Sequence, residues 1–143
     1  MQMTVFCGPP GSGKTTLSKK IAEEHNIVRY SFDEMGCLQH KELIPHVADS
    51  LRNGRSTVVD ALYTRASWRR AILEATEHIA CKRVLVYMDT SLEECICRNR
   101  GRGNPLPDFM VTSIYQSFES PTSDEGWDEI VEVKTYESNI TGD

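Results

Sequence analysis

The sequence predicts an α/β fold, a five-stranded parallel sheet with helices on both faces and an arginine-bearing lid. Three observations predict it. Short apolar runs alternate with segments of helical periodicity along the chain, the pattern of βαβ units whose helices cover a parallel sheet. A glycine-rich turn, Gly8-Pro-Pro-Gly-Ser-Gly-Lys-Thr15, separates the first apolar run from the first helical pattern. Arg98, Arg100 and Arg102, with glycines interleaved, follow the fourth helical pattern.

Taken in order, Met3–Cys7 reads as a buried strand, and residues 14–25 as a helix with Leu17, Ile21 and Ala22 on one face. Ile27–Tyr30 is a second strand. Residues 40–53 form the next helix, ended by Asn53-Gly54, an exit signal of the usual kind. Ser56–Asp60 is the third strand. Residues 66–79 place Trp68, Ile72, Ala75 and Ile79 at helical spacing. Lys82–Met88 is the most apolar strand, and residues 91–99 a helix carrying Leu92, Cys95 and Ile96. Beyond a Gly/Arg/Pro loop, residues 108–118 align Val111, Ile114 and Phe118, and Asp128–Lys134 is the last strand. The chain is expected to be one domain over 1–143, with an acidic segment 119–143 and a flexible tail after about residue 137.

Composition excludes little. Hydrophobic content of 39% and charged content of 26% are those of an ordinary globular domain. No apolar run approaches the roughly 20 residues that span a bilayer, and no basic patch precedes an apolar stretch at the N-terminus. Five cysteines without CxxC spacing suit reduced thiols, so a cytoplasmic setting is expected, with no membrane and no obligate protein partner. The net charge of −5 is unevenly spread: residues 119–143 hold eight acidic side chains and one basic one. The rest of the chain is slightly basic. Charge therefore neither demands nor excludes a polynucleotide.

The glycine-rich turn fits G-x-x-x-x-G-K-[ST], and its place between strand and helix is the context that motif needs. Pro9 and Pro10 lack N–H groups, so the amides of Gly11, Ser12, Gly13, Lys14, Thr15 and Thr16 make most of the anion cradle at the helix N-terminus, opened by Gly8. Lys14 is expected to reach the β- and γ-phosphates of ATP, and the Thr15 hydroxyl to ligate Mg²⁺.

Three further constellations point toward phosphoryl transfer. Asp33, beside Glu34, follows the second strand, where a carboxylate can take a proton from an acceptor hydroxyl; a helix-capping role is the alternative. Asp60 ends the third strand, and could orient metal-bound water or the acceptor, or simply tie a loop. The arginines of the lid can stabilise charge on a transferring phosphoryl group, unless they are only a solvated loop. A motor or a switch GTPase would need elements that are not seen, such as an N/T-K-x-D motif.

Together these residues resemble the small P-loop kinases, most closely the kinase domain of phage-type polynucleotide 5′-hydroxyl kinases. The likeness rests on Gly8–Thr15, on Asp33-Glu34, and on Asp60 followed by Arg69-Arg70. The lid adds Arg98-Asn99, Arg102-Gly103, Pro107 and the run Ser113, Tyr115, Ser117. It covers about residues 3–118. The resemblance implies that Lys14 binds phosphate, Thr15 serves the metal, and Asp33 is the general base. It places Arg102 at the transferring phosphate with Arg98 in support, and Asp60 on the acceptor side. The family's acceptor-side arginine, three residues after its base, is here Gly36; Arg29, Arg65 or Arg69 are the candidate substitutes, and Arg69 is the one expected at the acceptor.

The resulting expectation is transfer of the γ-phosphate of ATP, with Mg²⁺, to a hydroxyl acceptor, a nucleic acid 5′ end ahead of a small-molecule or modified-nucleoside hydroxyl. A regulatory nucleotide-binding protein with little turnover is the reading from another class, which Asp33 argues against.

Overall fold

In the computed structural model, which describes residues 1–134, the apolar runs pair as one sheet. The strands are β1 (Gln2–Cys7), β2 (Val28–Ser31), β3 (Thr57–Asp60), β4 (Lys82–Asp89) and β5 (Glu129–Lys134). Their spatial order is β2-β3-β1-β4-β5, and every pairing is parallel. The expected tail after residue 137 lies outside the described residues.

The side chains of each strand alternate between two apolar layers, as the pleat requires. Met3, Val5, Cys7, Val59 and Leu85 enter one cluster with Leu43, Val47, Leu51, Ile72 and Leu73, from the turn His40–Leu43 and the helices α2 (Ile44–Arg52) and α3 (Ala66–Thr76). Phe6, Val58, Val84, Val86 and Met88 enter the other, with Leu17, Ile21 and Ala22 of α1 (Lys14–His25). A sheet buried on both faces needs apolar residues at consecutive positions, which is why these strands read as continuous runs.

Residues 40–53 do not form the single helix expected of them. His40–Leu43 is a 3₁₀ turn, closed by Glu42, whose carboxylate accepts from the backbone N–H of Gln39 at 2.6 Å. The α-helix begins only at Ile44, with Pro45 in its first turn. Proline has no N–H to give and its ring obstructs the preceding turn, so a continuous helix cannot run through it. The helix predicted over 66–79 also ends early, at Thr76.

The parallel registers align the exits of three strands. Phe6 and Ser31 both stand opposite Asp60, so the loops leaving β1, β2 and β3 emerge side by side. In an open α/β sheet this carboxyl edge is where ligands bind. The fourth helix, α4 (Leu92–Arg100), and the fifth, α5 (Asp108–Gln116), flank a loop that carries Arg102 back toward the same edge.

Candidate active site

The glycine-rich loop is built for close backbone approach. Gly11 has φ +81°, and a Cβ there would lie 2.2 Å from the carbonyl oxygen of Cys95 in α4. Gly13 has φ +100°, and a Cβ there would lie 2.9 Å from a guanidinium nitrogen of Arg98. Both positions favour glycine by conformation, and at Gly11 the near atoms are backbone that cannot move aside, whereas at Gly13 the nearest is the tip of the Arg98 side chain. The loop is also tied to its neighbours: Gly8 N–H donates to the Leu62 carbonyl at 2.9 Å, and Thr90 Oγ1 donates to the Ser12 carbonyl at 2.9 Å.

Lys14 opens α1, and its side chain folds back under the loop. Its ammonium donates to the carbonyls of Gly8 and Pro9 at 3.0 and 3.2 Å. Burial lowers its pKa, and the negative charge of Asp60 and, more weakly, Asp33 pushes the other way, with Arg102 adding to the lowering.

Asp60, buried at the end of β3, is fixed on one oxygen. Its Oδ2 accepts from Ser18 Oγ at 3.1 Å and from an Arg29 guanidinium nitrogen at 2.6 Å. Ser18 stands one helical turn beyond Thr15 and also donates to the Thr15 carbonyl at 3.2 Å. That link connects Asp60 to the turn that presents the Thr15 hydroxyl. The donors gathered here are a hydroxyl and carboxylate oxygens, the hard ligands that suit Mg²⁺ alongside phosphate oxygens and water.

Asp33 lies in a backbone turn after β2, not at a helix start, with Gly36 N–H donating to its own carbonyl at 3.1 Å. Its carboxylate faces the lid, where Arg102 donates to Oδ2 at 3.2 Å. Glu34 turns the other way, toward Arg29 at 2.8 Å and Lys19 at 3.6 Å. The hydrogen bond from Arg29 holds the Glu34 carboxyl below its usual range.

The lid arginines part company. Arg98 pairs with Glu94 at 2.9 Å and lies against Gly13. Arg100 turns outward to Asp108. Arg102 alone crosses to Asp33. Between them, Asn99 is fully buried and pins the loop from inside: its amide nitrogen donates to the Leu106 carbonyl at 2.7 Å, and its oxygen accepts from Leu106 N–H at 3.2 Å.

One expected site residue is corrected. Arg69 does not reach an acceptor; it is wholly buried, donating to Glu125 at 3.0 and 2.9 Å, to the Tyr63 carbonyl at 2.7 Å and to the Glu119 carbonyl at 2.8 Å. A buried guanidinium persists when its donors are matched, and these are. Arg65 remains exposed nearby, 5.5 Å over the ring of Trp68, which stacks on His40 at 4.9 Å.

Sequence reasoning missed Ser18, and it named Asn99 only within the lid pattern, without its role. The first had a signal, its spacing of three from Thr15 on one helix face. Asn99 had none, because its partners belong to the loop it organises.

Comparisons with known proteins agree on the fold. The L-seryl-tRNA(Sec) kinase of Methanococcus maripaludis is 25% identical, over 88% of this chain and 56% of the relative. The chain thus spans a little over half of that relative's length. A sugar kinase from Janibacter superposes with a TM-score of 0.76 at 18% identity, covering 94% of this chain and 85% of that one. A fungal RNA kinase superposes with a TM-score of 0.74 at 18% identity, covering 93% and 73%. These structures share the P-loop kinase fold seen here. Among the described residues no helix is long and apolar enough to cross a membrane. A family model described as an AAA domain, AAA_33, matches residues 3–121, and the chain belongs to that family.

Proposed function

We propose that this P-loop kinase domain moves the γ-phosphate of ATP to a hydroxyl, with a polynucleotide 5′-hydroxyl as the leading acceptor, in the cytoplasm. The observation that carries this reading is the 3.2 Å contact between Arg102 and Asp33, 69 residues apart in the chain, at the strand edge where the loop bearing Lys14 also emerges. A protein that only binds nucleotide has no use for a carboxylate there. An enzyme that must deprotonate an acceptor does.

In this reading the loop amides of Gly11–Thr16, with Gly8 and Lys14, cradle the phosphates, and Arg98 supports them from α4. Mg²⁺, held through Thr15 and the phosphates, would neutralise charge on the β- and γ-oxygens. The acceptor oxygen attacks the γ-phosphorus while Asp33 takes its proton; the bond to the β–γ bridging oxygen breaks and ADP leaves. Arg102 exchanges its exposed partner Asp33 for the phosphoryl oxygens. Asp60 orients the acceptor side.

The second reading is a smaller hydroxyl acceptor, and one observation favours it. Gly36 replaces the family's acceptor arginine, and two of the three candidate substitutes are engaged elsewhere: Arg69 with Glu125, and Arg29 with Asp60 and Glu34. Only Arg65 faces solvent. The test is transfer from γ-labelled ATP to a panel of 5′-hydroxyl DNA and RNA, seryl-tRNA, nucleosides and sugars. Labelled oligonucleotide ends support the leading reading, and label on small hydroxyls alone supports the second. Asp33→Asn is expected to cut transfer about 10²- to 10⁴-fold with ATP affinity within a few-fold. No transfer to any acceptor, or wild-type transfer by Asp33→Asn, overturns the proposal.

A further inference from the structure

Arg29 sits on the edge strand β2, and its side chain is only 10% exposed. Its three donor groups go to three different parts of the candidate site. Nε donates to Ser18 Oγ of α1 at 2.8 Å. Nη1 donates to Glu34 Oε2 at 2.8 Å. Nη2 donates to Asp60 Oδ2 at 2.6 Å.

Each contact has a consequence. Ser18 and Arg29 converge on the same oxygen of Asp60, so the carboxylate cannot rotate, and among the described residues Oδ1 accepts no hydrogen bond. That leaves Oδ1 as the oxygen available to the bound reactants. The bond to Glu34 anchors the turn Phe32–Gly36, which bears Asp33. The bond to Ser18 ties Arg29 to the second turn of α1, beyond the phosphate loop itself. Two carboxylates, Asp60 and Glu34, would repel one another across this edge without the guanidinium between them. Its planar fork satisfies several acceptors at fixed angles, which a lysine cannot do.

We infer that Arg29 is a positioning residue for phosphoryl transfer: it sets the turn carrying Asp33 against the helix carrying the phosphate loop. It touches neither phosphate nor acceptor. The inference rests on the transfer reading, because it assigns Arg29 to the geometry of that step. Misplacement of reacting groups by about 1 Å can cost on the order of 10²-fold in rate. ATP binding, by contrast, rests on the loop backbone and Lys14, which Arg29 does not contact.

The test uses the full chain with Arg29→Gln, Arg29→Lys, Glu34→Gln and the double variant Arg29→Gln/Glu34→Gln. Arg29→Gln is expected to lower kcat about 10- to 10²-fold on the acceptor found by the panel, with ATP Kd within about threefold. Arg29→Lys is expected to recover part of the rate. The double variant is expected to be less damaging than the two single losses multiplied, because both break one link. Amide hydrogen exchange supplies a readout that needs no acceptor. Exchange at residues 32–36 should rise at least several-fold in Arg29→Gln, while residues 11–16 keep their wild-type rates. Unchanged kcat, a fall in ATP affinity matching the fall in kcat, or unchanged exchange at 32–36 overturns the inference. If Arg29→Gln does not fold, Arg29→Lys and Ser18→Ala take the same measurements. If the wild type transfers phosphate to nothing, the transfer reading falls, and exchange at 32–36 still decides whether Arg29 holds the turn.

Discussion

Arg102 and Asp33 are 39% and 72% exposed at their side chains. An ion pair that open to water contributes little, on the order of 0–1 kcal/mol, so it is readily exchanged for a partner of higher charge. Arg100 is more exposed, at 67%, and is engaged with Asp108 on the outer side of the loop. Arg102→Ala is therefore expected to lower kcat about 10²-fold or more, by analogy with other preorganised donors, while ATP Kd changes little. Arg100→Ala should change kcat several-fold at most. Single-turnover transfer and equilibrium ATP binding on the same preparations check this; equal, small losses at both positions would favour a merely solvated loop. At this scale the sequence was legible where a residue's partners were local. Lys14 and Thr15 belong to one contiguous motif. Arg69 and Arg29 were not legible. The carboxylates that engage Arg69 and Arg29 include Glu125, 56 residues away, and Asp60, 31 residues away. A single sequence does not indicate which charges a buried guanidinium will find.

Among the elements, α4 is the one pressed against the phosphate loop. The contact depends on Gly11 having no side chain, since a Cβ would strike the backbone of Cys95. Backbone cannot swing aside as a side-chain tip can. Gly11→Ala should therefore combine left-handed strain with overpacking, costing about 2–5 kcal/mol, and lower ATP affinity tenfold or more. Gly36 offers the control: its φ is +70°, but nothing lies within 4 Å of a Cβ there. Gly36→Ala should cost only about 1–2 kcal/mol. Thermal melts and ATP titration of the pair check the difference; equal losses would mean that the α4 contact contributes nothing. Elements with a strong apolar period, such as β1, β4 and α1, were legible nearly to the residue. The segment 40–53 was not, because Pro45 splits a pattern whose apolar spacing continues through it.

On the scale of the whole molecule, the described part of the acidic segment, residues 119–134, is part of the framework. Glu125 holds Arg69 with two hydrogen bonds and accepts from Trp127 Nε1 at 3.1 Å. Glu119 accepts from Ala66 N–H at 2.7 Å, at the start of α3. Burial, the largest single influence, raises the Glu125 carboxyl, but the hydrogen bond and charge of Arg69, with the bonds from Trp127 and the Thr122 backbone, together make the net shift downward. A carboxyl with a depressed folded pKa contributes stability above its unfolded value and loses it as pH falls through the folded one. Wild-type stability should thus decline below about pH 4.5, in part through this group. Glu125→Gln is expected to lose about 2 kcal/mol at pH 7 and to show a shallower acid decline. Denaturant melts between about pH 7 and 3 measure both, and parallel curves for the two proteins would remove Glu125 from the acid response.

The phosphate loop precedes in the chain the residues that finish it. Gly8 waits for the Leu62 carbonyl, Ser12 for the Thr90 hydroxyl, and Gly11 for the helix that carries Cys95. A parallel sheet offers no hairpin in which the first strand could fold alone, and such long-range pairings close slowly. The loop is therefore complete only when β3, β4 and α4 are in place around it, so a bound nucleotide rewards only chains that have already committed their core.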